Sequence, residues 1–409
     1  MQLDVLIFGG GAAGLWLLDT LTARGARALL LEGDRLGSGQ TIAAQGIIHG
    51  GLKYTLQGAL TPSAAQIREM PAHWRECHAG RRLPDLRGMR LRAPFCYLWR
   101  TESLASRLAM IGARVGLSVT PQVLSDDERP AFLMRCPGTV ARLDEPVVAP
   151  ESFLEILFAR HRSRILKIDA DKIAFNLDSA RNVRSVGLRH PVSGRRLWLN
   201  AQSLVLAAGK GNGDLRRQLG LAEGAMQRRP LHMVLARGGL PEFCGHCVDG
   251  AATRLTITSH REIDGRTVWQ IGGQIAETGV SQDERTLVSR AKSEIEATIP
   301  GIDLKHVQWS TYRVDRAEGA TASGARPEMS QVICEGNILT VWPTKLALAP
   351  VLAERVADLL APDEFKRRVD LSQLEDWPRP QIARLPWEME RFWFTTAELE
   401  DGVRVRRAA

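Results

Sequence analysis

Long apolar runs are missing from this chain: no stretch of its 409 residues approaches the roughly 18 consecutive apolar positions that a membrane-crossing helix needs. Strand-like sequence begins by residue 3, which leaves no room for a signal peptide, so cytoplasm is the expected compartment. Cysteine is thin on the ground. The six present (Cys77, Cys96, Cys136, Cys244, Cys247 and Cys334) form no dense framework, in agreement with a reducing environment. The net charge of +8 comes mostly from arginine, yet no basic block interleaved with aromatics occurs. Nucleic acid is therefore set aside as a partner, and anionic small ligands are favoured. A chain of this length has room for two domains, which in nucleotide-binding enzymes are often interleaved.

What is present is concentrated in the first 54 residues. Leu3 to Phe8 is an apolar run of buried-strand type that ends in Gly9-Gly10-Gly11-Ala12-Ala13-Gly14. The glycines of this GxGxxG match each act mechanically. Gly9 permits a tight turn, Gly11 lets a pyrophosphate approach the backbone, and Gly14 lets helix pack on strand. The helix opening at Ala12 and Ala13 presents free N–H groups to phosphate. Ala28 to Leu31 forms a second buried strand, and Glu32 at its end is placed to accept hydrogen bonds from a ribose diol, with Gly33 beside it. A carboxylate there would repel a 2′-phosphate. Strand, helix, second strand and acidic end together argue a bound dinucleotide rather than a bare glycine turn.

The loop from Gly33 to Tyr54 is rich in Gly, Ser, Thr and Gln, a composition that brings many donors to one extended ligand. It resembles the segment after the dinucleotide fold in the D-amino-acid oxidase superfamily of flavoenzymes, and Gly46 to Tyr54 is similar in particular to glycerol-3-phosphate dehydrogenases and 2-hydroxyglutarate oxidases. That resemblance implies FAD as cofactor, with contacts from Ser38, Thr41, Ala44, Gln45 and Gly46 and with His49 near the isoalloxazine. The superfamily's Thr-Ser-x-x-Ser run is here Gln40-Thr41-Ile42-Ala43-Ala44, so several hydroxyls are missing. His49 is a proton acceptor, a hydrogen-bond partner of the flavin, a covalent attachment point or a structural histidine; an imidazole, which ordinarily titrates near neutrality, suits the first two.

Further along, residues 61–79 read as a helix, Leu91 to Trp99 and Phe132 to Cys136 as strands, and Glu102 to Gly112 as a helix. Leu143 to Ser152 leads into a helix to about Arg162. The resemblance then implies an adenine-clasping strand ending at Ile168, a three-strand meander over 173–199, and a second flavin motif at Ala207, Ala208 and Gly209. Alternating strands at Leu231 to Ala236, Thr253 to Ser259 and Val268 to Gln274 belong to a substrate sheet covered by a helix from Glu284 to Thr298. Cys244-Gly245-His246-Cys247 has the spacing of a redox dithiol or half a zinc site, against the plainer reading of two chance loop cysteines. No metal is expected.

In the strand Val307 to Arg316, arginine is the natural clamp for a carboxylate or phosphate; Arg313 matches the glycerol-3-phosphate dehydrogenases best, while Arg316 and Arg326 suit surface ion pairs. Asn337 to Val341 is a strand, Trp342 to Lys345 a turn, and Leu346 to Leu360 a helix. In the superfamily this helix N-terminus faces the flavin's pyrimidine end. Thr344-Lys345-Leu346 resembles the remnant of Gly-Gly-Lys-Leu, with Lys345 turned to flavin, substrate or solvent. The tail from Asp363 carries Trp377, Trp387, Phe392, Trp393 and Phe394, which pack on the body, meet a partner or make peripheral contact with a membrane.

These readings converge on an α/β fold, a Rossmann-like FAD-binding domain (1–75, 140–226, 306–362) interleaved with a mixed β-sheet substrate domain of α+β type (76–139, 227–305), then an extension (363–409). The implied function is an FAD-dependent oxidoreductase moving hydride from a CH–OH or CH–NH group of a small anionic substrate to flavin N5, with His49, Arg313 and Lys345 as the catalytic set. No second GxGxxG for a nicotinamide occurs, so oxygen, a quinone or a carrier is the expected electron acceptor. The alternatives are an NAD(P)H-reduced flavin monooxygenase or a flavin-binding subunit without chemistry of its own. Sequence leaves the oligomeric state open.

Overall fold

The computed structural model describes residues 1–51, 66–101, 121–249, 252–360 and 370–399. Its opening follows the sequence reading: β1 (Gln2–Phe8), α1 (Ala12–Ala23) and β2 (Ala28–Glu32). All residues of α1 from Ala12 to Leu21 are buried, as expected of a helix apolar on every side. Two glycines allow the strand and helix to meet. Gly9 has φ +105°, and a Cβ on Gly14 would stand 1.9 Å from the Gly9 carbonyl oxygen.

β1 and β2 lie inside an eight-stranded sheet whose main order is Gln331–Glu335, Ile338–Trp342, Arg196–Leu206, β1, β2 and Ile165–Lys167. Every pair along this order except the first is parallel. Such strands are covered on both faces, which is why β1 and β2 read as unbroken apolar runs. The expected meander is there: Ala174–Leu177 and Val183–Arg189 pair antiparallel with each other, and Val183–Arg189 pairs antiparallel with Arg196–Leu206.

The second sheet has nine strands, ordered Phe394–Thr395, Gln308–Gly319, Met226–Gly238, Thr267–Gly272, Ala252–Arg261, Cys244–Asp249, Cys96–Arg100, Val140–Leu143 and Gln122–Val123. It is antiparallel apart from the parallel contact between Cys244–Asp249 and Cys96–Arg100. The predicted helix Glu284–Thr298 covers it with buried Leu287, Val288, Ala291 and Ile295, and its N-terminus is capped by the Asp283 carboxylate accepting from the Thr286 N–H. That helix shares a core with Trp99, Trp269 and Trp309.

Several expectations change. Phe132 to Cys136 is no strand: Ala131–Leu133 forms a 3-10 turn after Pro130, which has no N–H to give a ladder. Cys244 to Cys247 lies not in a loop but in a fully paired inner strand. Gln308–Gly319, expected with the dinucleotide sheet, pairs along its whole length with Met226–Gly238, so the crossing between sheets falls after Gly319. The helix expected at Glu102 to Gly112 and the start of that at 61–79 lie outside the described residues; Met70–His78 is helical. In the tail, Trp377 and Trp387 are buried in the body and Phe394–Thr395 adds an edge strand, whereas Phe392 is exposed. Among the described residues no helix is long and apolar enough to cross a membrane.

Candidate functional site

The C-terminal ends of β1, β2 and Arg196–Leu206 open into a cavity of about 1260 Å³ that reaches the second sheet. At one end stands Glu32. Its carboxylate accepts the N–H of Gly10 at 2.6 Å and of Asp34 at 2.7 Å, which closes the glycine turn, while burial pushes its pKa up. A carboxylate carries about four lone-pair sites, so two remain for ribose hydroxyls. Next comes the start of α1, where the Ala12 N–H donates to Thr41 Oγ1 at 3.1 Å. Gly11 in its extended conformation is closed in by the same Thr41 hydroxyl, which a Cβ would approach to 3.1 Å.

The cavity walls contain most of the residues expected from sequence: Gly9, Gly11, Ala12, Ala13, Glu32, Gly33, Ser38, Thr41, Ala44, Gln45, His49, Ile168, Ala207, Ala208, Gly209, Arg313, Lys345 and Leu346. Gly14 stands behind the turn, and Gly46 and Thr344 line a second cavity instead. The Gln45 amide donates to the carbonyls of Thr256 at 2.9 Å and Gln270 at 2.8 Å. In return the Gln270 amide donates to the Ala43 carbonyl at 2.8 Å, and the Tyr312 hydroxyl donates to the same oxygen at 3.2 Å. The loop is thus laced to the second sheet.

A carboxylate at one end, backbone donors at a buried helix start in the middle and a lysine at the far end suit an extended dinucleotide with an electron-accepting ring. The donor set therefore fits FAD.

The second cavity, about 230 Å³, shares Ala44, Gln45, His49, Arg316, Arg326, Lys345 and Leu346 with the first. Glu145 and His246, neither of them among the expected site residues, also line it. His49 Nδ1 lies 3.2 Å from Glu145 Oε2, Glu145 Oε1 accepts the Gly50 N–H at 2.7 Å, and His246 Nε2 lies 4.0 Å from Glu145 Oε2. The histidine rings are 5.4 Å apart. His246 Nδ1 sits 2.9 Å from Thr256 Oγ1. Positions 49, 145 and 246 are about a hundred residues apart in sequence, so only the fold brings them together.

On the cationic side, Arg316 pairs with Glu277 at 3.0 Å and Arg229 pairs with Glu318. Burial pulls the pKa of Arg316 and of Arg326 down, and the neighbouring Arg229 guanidinium pulls both the same way. Like charges crowded in a dehydrated place favour a bound anion. Arg313 departs from expectation in its hydrogen bonds: Nη1 donates to the Val280 carbonyl at 2.8 Å and Nη2 to that of Gln282 at 3.1 Å. Its fork braces a turn, and the two arginines set down as surface ion pairs line both cavities.

The turn into the Leu346 helix is strained. Thr344 has φ +65°, the Lys345 N–H donates back to the Pro343 carbonyl at 2.7 Å, and Thr344 Oγ1 donates to the Met329 carbonyl at 2.8 Å. Positive φ is rare for a β-branched residue and is the conformation a glycine adopts freely. The Cys244 and Cys247 pair holds no dithiol. Three residues apart on a strand, they point to opposite faces and join different cores, and burial pushes their thiols up to about 11 and about 12.

A family profile described as DAO, FAD dependent oxidoreductase, matches residues 4–359. The chain is 40% identical over 397 residues to the probable FAD-dependent oxidoreductase PA4991 of Pseudomonas aeruginosa, covering 95% of this chain and 98% of that protein. The crystal structure of PA4991 superposes with a TM-score of 0.80 at 36% identity, over 95% and 98% of the two chains. Glycine oxidase from Bacillus cereus shares the fold at 17% identity, with TM-score 0.64 over 89% and 99%. Glycerol-3-phosphate dehydrogenase from Bacillus halodurans, complexed with FAD, shares it at 13% identity and TM-score 0.55 over 88% and 64%. With its dinucleotide sheet, its donor set and this match over nearly its whole length, the chain belongs to the DAO family of FAD-dependent oxidoreductases.

Proposed function

We propose that this enzyme oxidises a CH–OH or CH–NH group of a small anionic compound held in the smaller cavity. The observation that carries the reading is the wall shared by the two cavities, where Arg316, Arg326 and Lys345 gather beside His49. FAD, when bound, supplies the two-electron acceptor. Glu32 and the first turn of α1 would hold its ribose and diphosphate. Arg326 and Arg316 bind the substrate's carboxylate or phosphate, which would orient its reacting carbon. Gln45 and Ala44 close the wall from the loop side. Reoxidation falls to oxygen, a quinone or a carrier, and the cytoplasm is the setting.

The test is an anaerobic panel of hydroxy acids, amino acids and polyol phosphates mixed with the FAD-loaded protein, monitored by flavin absorbance. Bleaching by one class of anionic compound supports the reading. Bleaching by NADPH alone would replace it with a nicotinamide-reduced monooxygenase.

A further inference from the structure

Glu32 can serve a ribose only while the turns around it hold still, because the two N–H groups that it accepts, from Gly10 and Asp34, belong to loops. Loop backbone without partners moves. The partners that steady these loops come from far along the chain. Leu36, fully buried, donates its N–H to the Gln381 carbonyl at 2.8 Å and accepts the Ala383 N–H at 3.0 Å. Its side chain lies against the glycine turn: a Cβ on Gly10 would stand 2.3 Å from Leu36 Cδ2.

On the other side of Glu32, Lys167 ends the edge strand of the dinucleotide sheet. Its N–H donates to the Pro378 carbonyl at 2.9 Å, and its carbonyl accepts the Trp377 indole N–H at 2.7 Å, so the open edge is covered. Lys167 Nζ reaches the carbonyls of Gly33 and Asp34, and the N–H of Ile168 donates to the Glu32 carbonyl at 2.9 Å. One short run, residues 377–383, thus makes four hydrogen bonds to the two flanks of Glu32, although none of its residues lines either cavity. Pro378 and Pro380 stiffen it, and buried Trp377 anchors it in the core beneath the sheet. The same extension is fastened a second time, beside the other sheet: Trp309 Nε1 donates to Thr396 Oγ1 at 3.0 Å, and that hydroxyl donates to the Leu304 carbonyl at 2.6 Å.

Resting on the reading that Glu32 holds the FAD ribose, we infer that residues 377–383 are a positioning element of the cofactor site. Docked, they hold the turn at 33–36 and the strand end at Lys167 against Glu32, and FAD leaves through the form in which they have let go. The coupling is reciprocal: the docked run retains FAD, and bound FAD keeps the run docked.

Release of FAD from the loaded protein on dilution, monitored by flavin fluorescence, tests this. Trp377→Phe keeps a ring in the core and loses the indole N–H; Ala383→Pro loses the N–H to Leu36. Each removes one hydrogen bond from the docked form, so release should quicken about three- to tenfold. Thr396→Val is the control, loosening the extension at its other attachment: its melting temperature should fall while FAD leaves at the wild-type rate. A second readout is amide exchange in the wild type. The amides of Leu36, Lys167 and Ala383 should exchange about tenfold faster once FAD is removed, and that of Thr396, bonded to the Val307 carbonyl, at an unchanged rate. Wild-type release from Trp377→Phe and Ala383→Pro, with faster release from Glu32→Gln, overturns the inference alone. Wild-type release from all three overturns the ribose reading with it. Exchange at the three amides indifferent to FAD, or release quickened equally by Thr396→Val, makes the extension a general brace and overturns the inference too.

Discussion

The two ends of the large cavity are built in opposite ways. The end at Glu32 comes from one contiguous stretch, β1 through β2, whose strand, turn, helix and strand each constrain the next. The end at Lys345 opens onto the smaller cavity, which is assembled from separate pieces: the loop at His49, the segment at Glu145, the strand of His246, the strand of Arg316 and the turn at Thr344. A site made of one stretch is held by backbone geometry, so its glycines matter more than its side chains. A site made of many stretches is held by the fold, and each side chain can be exchanged almost alone. Substitutions should therefore act on folding and cofactor at the first end and on substrate at the second.

The largest effect is expected at Gly14. Its Cβ has no room against the Gly9 carbonyl, so Gly14→Ala should destabilise the protein by roughly 2–3 kcal/mol and yield protein purified without flavin, read by visible absorbance and melting temperature. Wild-type flavin content would break the comparison. Glu32→Gln comes next. The amide turns one donor against the N–H of Gly10 or Asp34, losing a charge-assisted bond worth about 2 kcal/mol, so FAD affinity should fall more than tenfold in fluorescence titration.

At the other end, Arg326→Ala should weaken substrate about ten- to hundredfold, the value of roughly 1.5–3 kcal/mol for a charge-assisted pair, while FAD content and melting temperature stay put. Arg313→Ala sharpens the contrast: it should lower thermal stability by about 1 kcal/mol, through the lost bonds to Val280 and Gln282, and leave substrate affinity within about twofold. The opposite pattern in this pair would return the anion to Arg313. The smallest effect belongs to Thr344→Gly. Relief of about 1–2 kcal/mol of positive-φ strain nearly cancels the lost bond to Met329, so the melting temperature should scarcely move, whereas Thr344→Val keeps the strain and loses the bond.

The same contrast explains what could be read from sequence. Glycine spacing and apolar period announce β1, α1 and β2 because the physics there is local, and the helix at Glu284 announces itself through its cap and its buried stripe. Glu145 and His246 carry no local signal; their pairing depends on a parallel strand contact between Cys244–Asp249 and Cys96–Arg100. The cysteine spacing around His246 even pointed the wrong way, because a CxxC on a strand separates its sulfurs across the sheet. Arg313 shows a related limit: register places it on the Gln308–Gly319 strand, but the carbonyls that take its fork belong to a turn about thirty residues upstream.

The lacing of Gln45, Gln270, Tyr312 and Ala43 bears on how the enzyme turns over. Swinging the two sheets apart would sever four hydrogen bonds at once. At about 1 kcal/mol each, that leaves an opened form in roughly one molecule per thousand. Substrate entry and product exit at ordinary rates thus call for movement of individual side chains around a frame that stays shut, and a cross-link between the loop and the second sheet should leave turnover intact.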